Sequence, residues 1–574
     1  WISKLKIQNF KSIENEEIQF NKGLSILVGP NNAGKSNIME AIDTLLGDIY
    51  LPNFEPTTDH FFNGDENREI IIEAELNSDG DDLSKIDDSF TNQVSIRFKY
   101  SKNNGGCFEV LLNNQWSQKY NKPFGYYWDF EKKLFFLRVK SLRNIMEIAP
   151  IRWKSPLKYF KEMIIKKSPQ DKLNGVIQEI DYAKSKLSEI QEVKDILEAL
   201  ISISRDQTDI KNIIFSPAST KYSDVLNDMK ILIDDGYISE VNKKGLGTQN
   251  LIIISLFRVM AKYMRDEEHK FIIYGIDEPE IGLHPHSQRQ LVHSLKKLSA
   301  YSQVIITTHS DRLVDVSEVD NIIRIGKEEN KTKHYLINLT HQEKKILEVH
   351  GRNLNEVFFA KRCLIVEGDT EEGFFPEVSK KVIEKTKEGN RENEENYSFD
   401  YNSVSIINGR GDTIWFFIRL LKNLNIPFVV LIDNDKLSNN RDSFLQKLIE
   451  TNLIKEEEKS NLKRLDEESL IGALKNHNIF VLPPFEKVIS EHSNGKILKK
   501  IMNAIKFVKE NWGYEINDAD FEIDNENLEN LKEKVYKLLK ENKRWRIGKA
   551  IAQELMKEEI PKPYIEIIKK VSKL

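Results

Sequence analysis

The sequence predicts an α/β protein with two successive domains, and three observations support this prediction. Short apolar runs typical of buried strands alternate with segments of helical periodicity along most of the chain. Several of these runs end in a glycine-rich or acidic turn, at 29–36, 277–280, 367–371 and 433–435. The length of 574 residues exceeds what a single hydrophobic core usually supports.

The composition argues against several classes of protein. The sequence contains no run of 18 or more apolar residues, so no membrane span is expected, and the first residues alternate like a strand instead of resembling a secretory signal. The two cysteines, Cys107 and Cys363, lack metal-binding spacing and fit a reduced, cytoplasmic setting better than a disulfide framework. The net charge of −5 does not decide on DNA binding, because attraction to phosphates acts over about 8–10 Å and a local basic patch is enough.

A glycine-rich motif follows the apolar run at 23–28. Residues 29–36 match the pattern G-x-x-x-x-G-K-[ST], between a buried strand and a helix. Glycines let the backbone wrap a phosphate group, and the helix N-terminus supplies oriented N–H groups. We predict that Lys35 binds the β- and γ-phosphates of ATP and that Ser36 ligates Mg²⁺. The predicted nucleotide contacts of this motif are Gly29, Asn31, Asn32, Gly34, Lys35 and Ser36.

Two further apolar strands end in groups that suit ATP hydrolysis. One leads into Asp277, which is placed to hold Mg²⁺, and Glu278, which can orient or deprotonate the attacking water. The other leads into His309, which can contact the γ-phosphate, although a histidine at the end of a strand is otherwise often structural. Together with the glycine-rich motif, these residues predict an ATPase.

The segment 244–250 occupies the place of the signature loop of ABC-type ATPases. It lies upstream of the acidic strand and precedes a long apolar helix. Such a loop, here with Gly247, offers backbone N–H groups to ATP bound on a partner subunit. This interpretation predicts a homodimer or higher homo-oligomer formed through the ATPase domain. The alternative is a simple loop that caps the following helix.

A second set of acidic residues lies in the C-terminal half. One apolar strand ends at Glu367, and Glu371 follows four residues later, so a turn into a helix can bring both carboxylates together. Another apolar strand ends at Asp433 and Asp435, which share a face if the segment is extended. Four carboxylates at the ends of adjacent strands suit Mg²⁺ or Mn²⁺. Two such ions can stabilise both the attacking and the leaving oxygen in phosphodiester cleavage. We predict that all four are metal ligands and that Glu367 and Asp433 are catalytic; the alternative is a degenerate site without catalysis.

Two predictions concern residues further along the chain. Glu486 follows an apolar run and is either a ligand of a second metal ion or an acid at the start of a helix. The basic segment 537–549 contains Trp545 and either follows a DNA backbone or forms a solvated helix face. Within this segment, Lys549 is our candidate for a catalytic lysine that stabilises charge at the scissile phosphate.

The domain boundary is predicted after residue 345. Residues 1–345 form the predicted ATPase domain, and residues 346–574 form a second α/β domain that ends in a basic helical region. Within the first domain, residues 155–235 are rich in Lys, Glu, Ile and Leu with helical periodicity, which predicts a helical insertion. Its expected role is packing or dimer contact, and DNA contact is the alternative.

These motifs together resemble the overcoming-lysogenization-defect (OLD) family, which includes the Gabija and retron-associated nucleases. The resemblance covers essentially the whole chain and is carried by residues 29–36, 277–280, 308–310, 366–371, Asp433 and Asp435. Two features depart from the family pattern: Pro484-Phe485-Glu486 replaces an Asp-Leu-Glu element, and the C-terminal lysine is Lys549 or a neighbour. The resemblance implies an ABC/SMC-like ATPase domain followed by a Toprim domain, with ATP and Mg²⁺ or Mn²⁺ as cofactors.

The resemblance also implies an ATP-regulated, metal-dependent DNA endonuclease or nickase, often in bacterial anti-phage defence. The expected partners are DNA and further copies of the chain, with a defence-system protein or a retron nucleic acid as further candidates. An alternative from another class is an SMC-like DNA-binding ATPase whose Toprim domain is a non-catalytic platform. A topoisomerase or primase fits less well, because no separate DNA-binding module with a catalytic tyrosine is evident.

Overall fold

The computed structural model describes residues 1–47, 49–80, 82–140, 191–205, 211–216, 230–266, 270–314, 316–337, 339–388, 391–514, 521 and 527–574. The chain divides into two compact units, Trp1–Tyr335 and Leu336–Leu574. This division lies about ten residues before the predicted boundary at 345. No helix in the described ranges is both long enough and apolar enough to cross a membrane.

The N-terminal unit combines two six-stranded sheets and one three-stranded sheet. Its strands are β1 (Ile2–Phe10), β2 (Ile13–Gln19), β3 (Leu24–Val28), β4 (Ile70–Asn77), β5 (Gln93–Ser101), β6 (Gly105–Leu112), β7 (Gln115–Ser117), β8 (Leu134–Val139), β9 (Asn212–Ser216), β10 (Lys230–Asp234), β11 (Ile238–Glu240), β12 (Phe271–Asp277), β13 (Val304–Thr307), β14 (Ile322–Glu328) and β15 (Lys331–Leu336). Its described α-helices are α1 (Lys35–Leu46), α2 (Tyr127–Lys133), α3 (Gln191–Arg205), α4 (Leu246–Asp266) and α5 (Pro285–Ser299).

The first six-stranded sheet is antiparallel, with the order β2-β1-β4-β5-β6-β7. Its inner strands alternate between buried and partly exposed residues, because only one face of the sheet packs against the core. In β4, for example, Ile70, Ile72 and Ala74 are buried, and the residues between them are partly exposed.

The second six-stranded sheet, with the order β15-β14-β3-β13-β12-β8, contains the parallel strands of this unit. Every residue of β3 and β13 is buried, which is typical of parallel sheets covered on both faces. The strands β14, β3, β13, β12 and β8 pair in parallel. Their carboxyl ends therefore share one edge of the sheet, and the motifs at 29–36, 277–280 and 308–310 all follow strands at this edge.

The predicted insertion at 155–235 is only partly described, because residues 141–190, 206–210 and 217–229 lie outside the described ranges. The described part contains α3 and the strands β9 and β10, which pair with β11 in an antiparallel sheet. The prediction of a helical insertion is therefore wrong for these strands. Ile231 and Ile233, two residues apart, are both buried, so an alternation with a period of two outweighs the helix-like composition of the segment.

The C-terminal unit is built around a four-stranded parallel sheet with the order β19-β16-β20-β21. The strands of this unit are β16 (Arg362–Val366), β17 (Ile383–Glu388), β18 (Arg391–Asn396), β19 (Val404–Asn408), β20 (Phe428–Asp433) and β21 (Ile479–Leu482), and β17 pairs with β18 as a separate hairpin. Its α-helices are α6 (His341–His350), α7 (Asp369–Ser379), α8 (Phe399–Asn402), α9 (Ile414–Asn423), α10 (Asn434–Asn439), α11 (Arg441–Glu450), α12 (Glu456–Arg464), α13 (Glu467–Lys475), α14 (Phe485–Glu491), α15 (Gly495–Trp512), α16 (Leu528–Glu541), α17 (Trp545–Glu554) and α18 (Lys562–Lys573).

The helices α7 and α17 pack against each other through two glycines. A Cβ atom on Gly373 would lie 2.0 Å from the carbonyl oxygen of Trp545, and one on Gly548 would lie 1.9 Å from that of Thr370. Only hydrogen side chains allow the two backbones to come this close. This contact places the start of α17 beside the start of α7, which follows the acidic end of β16.

Candidate nucleotide and carboxylate sites

The glycine-rich loop joins β3 to α1, and two of its glycines have no room for a side chain. Gly29 has a φ of 141°, and a Cβ atom there would lie 2.0 Å from the carbonyl oxygen of Ile325. Gly34 has a φ of 108°, and its Cβ atom would lie 2.2 Å from the hydroxyl oxygen of Thr332. The first turn of α1 carries no acidic residue. The loop therefore brings the N-terminus of α1 to a position where its N–H groups can bind an anion.

Lys35 is buried at the base of this loop. Its Nζ donates hydrogen bonds to the carbonyl oxygens of Gly29, at 2.9 Å, and Pro30, at 3.1 Å. Burial lowers the pKa of Lys35 to about 8, although the negative charges of Glu278 and Glu280 act in the opposite direction. A phosphate group would offer this ammonium group a charge-assisted bond in place of neutral carbonyl contacts.

Asp277, at the end of β12, is held by two neighbouring strands. Its carboxylate accepts a hydrogen bond from the hydroxyl of Thr307 at 3.0 Å and one from Nε of Arg138 at 2.9 Å. The same guanidinium donates to the backbone carbonyl of Ser36 at 3.3 Å. Arg138 therefore links the two residues predicted to hold Mg²⁺. Sequence reasoning missed Arg138, because its only sequence signal is a charged residue near the end of the apolar strand β8.

Glu278 and His309 face each other across the ends of β12 and β13. The distance between His309 Nε2 and a carboxylate oxygen of Glu278 is 3.5 Å. Glu278 has a φ of 46°, a left-handed backbone conformation that costs energy for a non-glycine residue. Burial and the charge of Lys35 lower the pKa of His309. Buried Glu280 accepts bonds from the Thr308 hydroxyl at 2.7 Å and from the backbone N–H of His309 at 2.8 Å, which fixes the histidine loop.

The signature segment is helical from Leu246 onward, so Gly247 lies in the first turn of α4 and not in a preceding loop. The amide of Gln249 donates to the carbonyl of Lys244 at 2.7 Å, and this bond holds the entry to the helix. Asn250 donates to the carbonyl of Pro279 at 3.2 Å and so ties α4 to the acidic strand end. The remaining predicted nucleotide contacts of the first motif, all exposed, are Asn31, Asn32 and Ser36.

The carboxylate site of the C-terminal unit begins where β16 and β20 end. The backbone N–H of Asp433 donates to a carboxylate oxygen of Glu367 at 3.0 Å. Glu371, in the first turn of α7, is buried with 5% of its surface exposed. Asp435 lies in the first turn of α10, so the predicted extended Asp433–Asp435 segment is wrong. Asp435 is nevertheless close enough for its charge to raise the pKa of Asp433.

The electrostatics of this site show crowded, poorly hydrated carboxylates. Burial, followed by the charge of Asp433, raises the pKa of Glu371 to about 8. Burial, followed by the charges of Glu367 and Asp435, raises the pKa of Asp433 to about 7. Such shifts arise when acidic groups share a site with low hydration and too little positive charge. The predicted carboxylates therefore form one acidic cluster, which we call the carboxylate pocket.

Two lysines partly compensate this charge. Lys436 Nζ lies 2.9 Å from a carboxylate oxygen of Glu367. Lys543 Nζ lies 3.1 Å from a carboxylate oxygen of buried Glu486. Although burial acts against it, the pKa of Lys543 is raised by its bond to Glu486 and by the charges of Asp433 and Glu371. Glu486 thus belongs to the pocket, and Lys543 is the residue of the basic segment 537–549 that pairs with it.

The structure does not bring the predicted catalytic Lys549 to these carboxylates. Its Nζ lies 3.6 Å from a carboxylate oxygen of Glu377 and 5.1 Å from the ring centre of Trp545. The reason is geometric: Lys543 stands just before α17 and extends towards the start of α14, whereas Lys549 lies inside α17 on the side that meets α7. Composition alone offers no signal for which lysine of this basic segment lies beside the carboxylates.

The donor set of the pocket fits a hard divalent cation. Its groups are carboxylate oxygens, which Mg²⁺ and Mn²⁺ prefer. As the side chains stand, the described residues include no group of three or more carboxylate, histidine or cysteine ligands arranged closely enough to hold an ion. Two of these carboxylates, Glu367 and Glu486, are instead paired with Lys436 and Lys543.

Two family models match the chain. A model described as "AAA ATPase domain" matches residues 1–142 and 130–314. A model described as "Overcoming lysogenization defect protein-like, TOPRIM domain" matches residues 358–435. The second match contains Glu367 to Asp435 but ends before Glu486 and Lys543. The place of these last two residues in the pocket therefore rests on the structure.

Three curated relatives align with most of the chain. Endonuclease GajA of Bacillus cereus (strain VD045) is 23% identical over 461 residues, 75% of this chain and 75% of the relative. OLD nuclease of Thermus scotoductus is 24% identical over 463 residues, 76% of this chain and 82% of the relative. Old nuclease of Escherichia phage P2 is 24% identical over 486 residues, 76% of this chain and 78% of the relative. Since neither compact unit makes up three quarters of the chain, each alignment includes parts of both.

Proposed function

Because the chain belongs to the AAA ATPase domain family and carries an overcoming-lysogenization-defect-like TOPRIM domain, we propose that it is an ATP-regulated, divalent-metal-dependent DNA endonuclease or nickase of anti-phage defence. The observation that carries this proposal is the acidic pocket at the ends of β16 and β20. There Glu367 and Asp433 are joined by a 3.0 Å hydrogen bond, and Lys543, in the loop before α17, lies close enough to Asp433 and Glu371 for their charges to raise its pKa. The three relatives whose alignments include parts of both units are named nucleases.

In this proposal, the pocket holds and orients the scissile phosphate of DNA. The residues that would hold the cations are Glu367, Glu371, Asp433, Asp435 and Glu486. Bound Mg²⁺ or Mn²⁺ would supply Lewis-acid stabilisation of phosphate oxygens. The ammonium group of Lys543 adds a fixed positive charge beside the same oxygens, which favours the more negative transition state.

The N-terminal unit supplies the proposed nucleotide control. Lys35 and the N–H groups of α1 hold the ATP phosphates, and Ser36 with Asp277 holds Mg²⁺. Glu278 would orient the attacking water, and His309 would contact the γ-phosphate. The distance between His309 Nε2 and a carboxylate oxygen of Glu278 is 3.5 Å. Asp277 would share its carboxylate between a bound Mg²⁺ and the guanidinium of Arg138, which donates to it at 2.9 Å.

The proposal extends to assembly and partners. Gly247, in the first turn of α4, would face ATP on a second copy of the chain, so a homodimer or higher homo-oligomer is expected. DNA is the proposed substrate, and a defence-system protein or a retron nucleic acid is a further proposed partner. We place the protein in the cytoplasm on the basis of its free cysteines.

A plasmid-nicking assay with purified protein tests the proposal. Wild-type protein with Mg²⁺ or Mn²⁺ should convert supercoiled plasmid to open-circle or linear DNA, and EDTA should abolish this conversion. Asp433→Asn should remove cleavage and leave ATP binding intact. The control Asp442→Asn changes an exposed carboxylate on α11 that pairs with Lys463 and should cleave normally. Metal-dependent cleavage by purified Asp433→Asn protein would refute the proposed site.

The alternative, an SMC-like DNA-binding ATPase with a non-catalytic Toprim platform, is less supported. An inert platform has no need of five carboxylates and a lysine in one pocket, because burying acidic groups costs stability. This alternative predicts that the protein binds DNA in a nucleotide-dependent way but does not nick it with any divalent metal ion.

A further inference from the structure

An exposed aromatic surface lies beside the carboxylate pocket and is not used by the chemistry described above. It is formed by the end of α15 and the start of α17. Its rings are Phe507, Trp512, Tyr514 and Trp545, and its arginines are Arg544 and Arg546. Phe507, Trp512 and Trp545 are 52%, 46% and 44% exposed. Large aromatic side chains exposed together in this way mark a binding surface more often than a defect of packing.

Cations lie over these rings. The guanidinium of Arg544 lies 4.1 Å from the ring centre of Tyr514, and that of Arg546 lies 5.5 Å from the ring centre of Trp512. Arg546 also donates a hydrogen bond to the Tyr514 hydroxyl at 3.2 Å. These contacts link α17 to the residues at the end of α15, so Phe507, Trp512, Tyr514 and the two arginines form one surface, and Trp545 stands between the two arginines in the sequence. The surface is both apolar and positively charged, and no acidic side chain within the described ranges forms an ion pair with Arg544 or Arg546.

The aromatic surface is continuous in sequence with the pocket. Arg544 and Trp545 directly follow Lys543, whose Nζ lies 3.1 Å from Glu486 in the pocket. The backbone carbonyl of Trp545 packs against Gly373, two residues after Glu371. A strand of DNA whose phosphate lies in the pocket would therefore have its neighbouring nucleotides beside these rings.

We propose that the aromatic surface binds unpaired bases of the DNA strand held in the carboxylate pocket, so that the favoured substrates contain single-stranded segments. This proposal rests on the proposed nuclease function. Base faces are hidden inside a duplex and available only where bases are unpaired, and they stack on tryptophan and tyrosine rings regardless of base identity. Arginine side chains between the rings contact the phosphates of the same strand. The charge of the surface and its place beside a phosphodiester-binding pocket favour nucleic acid over a protein or a second copy of the chain.

Binding without cleavage tests this proposal. Full-length protein in EDTA is titrated into a fluorescent single strand of about 20 nucleotides and into the matching duplex, and anisotropy is measured. The double substitution Trp512→Ala/Trp545→Ala should weaken single-strand binding by about tenfold and change duplex binding by about twofold or less. Trp545→Phe should retain most of the affinity, because a phenyl ring still stacks. Arg546→Gln should weaken single-strand binding and lower its dependence on salt.

The control Tyr401→Ala removes another exposed ring from the same unit. Tyr401 is 74% exposed on α8, which precedes β19 and so lies at the amino-terminal edge of the sheet, opposite the pocket. This substitution should leave both affinities unchanged. Equal losses for single strand and duplex, no loss for either, or a change in oligomeric state of the double variant would overturn the proposal. If the double variant does not fold, Arg546→Gln alone decides.

The nuclease function is tested separately by cleavage in Mg²⁺ or Mn²⁺. If the wild-type protein nicks DNA but Trp512→Ala/Trp545→Ala binds single strands normally, the proposed nuclease function stands and the proposed role of the aromatic surface is refuted. If the wild-type protein never cleaves DNA but the double substitution lowers its affinity for single strands, the proposed nuclease function is refuted. The aromatic surface then remains a surface that binds single strands.

Discussion

The backbone N–H of Asp433 donates a hydrogen bond to a carboxylate oxygen of Glu367 at 3.0 Å, and this bond joins the ends of two parallel strands 66 positions apart. It makes Glu367 a positioning residue for Asp433 as well as a proposed metal ligand. The same carboxylate accepts from Lys436 at 2.9 Å, so Glu367 is bonded to both residues.

Because Glu367 has these two roles, two different substitutions of it should have different effects. Glu367→Gln retains an oxygen that accepts from the Asp433 N–H, so stability should change little, but the lost charge should lower metal-dependent cleavage at least 100-fold. Glu367→Ala should lower cleavage equally and also destabilise the unit by about 1–3 kcal/mol, because the buried N–H loses its acceptor. Plasmid nicking and thermal unfolding measure the two effects. Equal stability of both variants would contradict the positioning role.

Substitutions of Lys543 and Lys549, the two lysines considered in the basic segment, should have very different effects on the rate of DNA cleavage. Lys543→Ala should lower the cleavage rate by about 100- to 1000-fold, the usual cost of removing a charge that stabilises the transition state. Lys549→Ala removes contacts with Glu377 and with the ring of Trp545, both outside the pocket, and should change the rate by less than about threefold. Cleavage time courses with saturating Mn²⁺ compare the two variants. A larger effect at Lys549 than at Lys543 would reverse the assignment.

Removing Arg138 should destabilise the nucleotide-free protein. Its guanidinium forms a buried ion pair with Asp277, and losing one partner of such a pair costs about 3–5 kcal/mol. Mg²⁺ with a nonhydrolysable ATP analogue should recover part of this loss in Arg138→Gln, because the cation takes the place of the guanidinium. Arg97→Gln breaks a comparable pair with Glu109 on the antiparallel sheet and should show no such recovery. Thermal unfolding with and without the analogue measures the difference; equal recovery in both variants would refute it.

Nucleotide binding should weaken at alkaline pH. The pKa of Lys35 is lowered to about 8 in the nucleotide-free protein, so above this pH its amine is uncharged and must take up a proton before it can bind phosphate. Affinity for a fluorescent ATP analogue should therefore be full at pH 7 and about tenfold lower at pH 9. Lys35→Arg, whose guanidinium stays charged, should bind with a flatter pH profile. A pH-independent affinity in wild-type protein would show that Lys35 keeps its proton.

The glycine contact between α7 and α17 should control cleavage from outside the pocket. Gly548→Ala places a methyl group 1.9 Å from the carbonyl oxygen of Thr370, so the helices must separate, at a cost of about 1–3 kcal/mol. Because Lys543 directly precedes α17, cleavage should fall at least tenfold although no pocket residue is changed. Gly472→Ala, on α13, meets no atom within 4 Å and should be neutral or slightly stabilising. Unfolding curves and nicking rates of the pair test this, and normal cleavage by Gly548→Ala would contradict it.

Sequence reasoning succeeded where a function depends on neighbours along the chain. The loop at 29–36, the acidic end of β12 and the acidic ends of β16 and β20 were all predicted from apolar runs that stop at polar groups. It failed where local composition was ambiguous, as in β9 and β10, whose apolar residues alternate inside a segment with helix-like composition. It also failed for Asp435, which begins a helix where an extended segment was expected.

The sequence by itself determined the two-part α/β organisation and the chemical groups of both sites, because strands, helix starts and phosphate loops are encoded by local spacing. Only the tertiary structure decided which distant groups meet. Arg138 reaches Asp277 because β8 pairs with β12, and Lys543 reaches Glu486 because two glycines let α17 pack closely on α7. Strand order and helix packing depend on the whole core, and no single stretch of sequence contains that information.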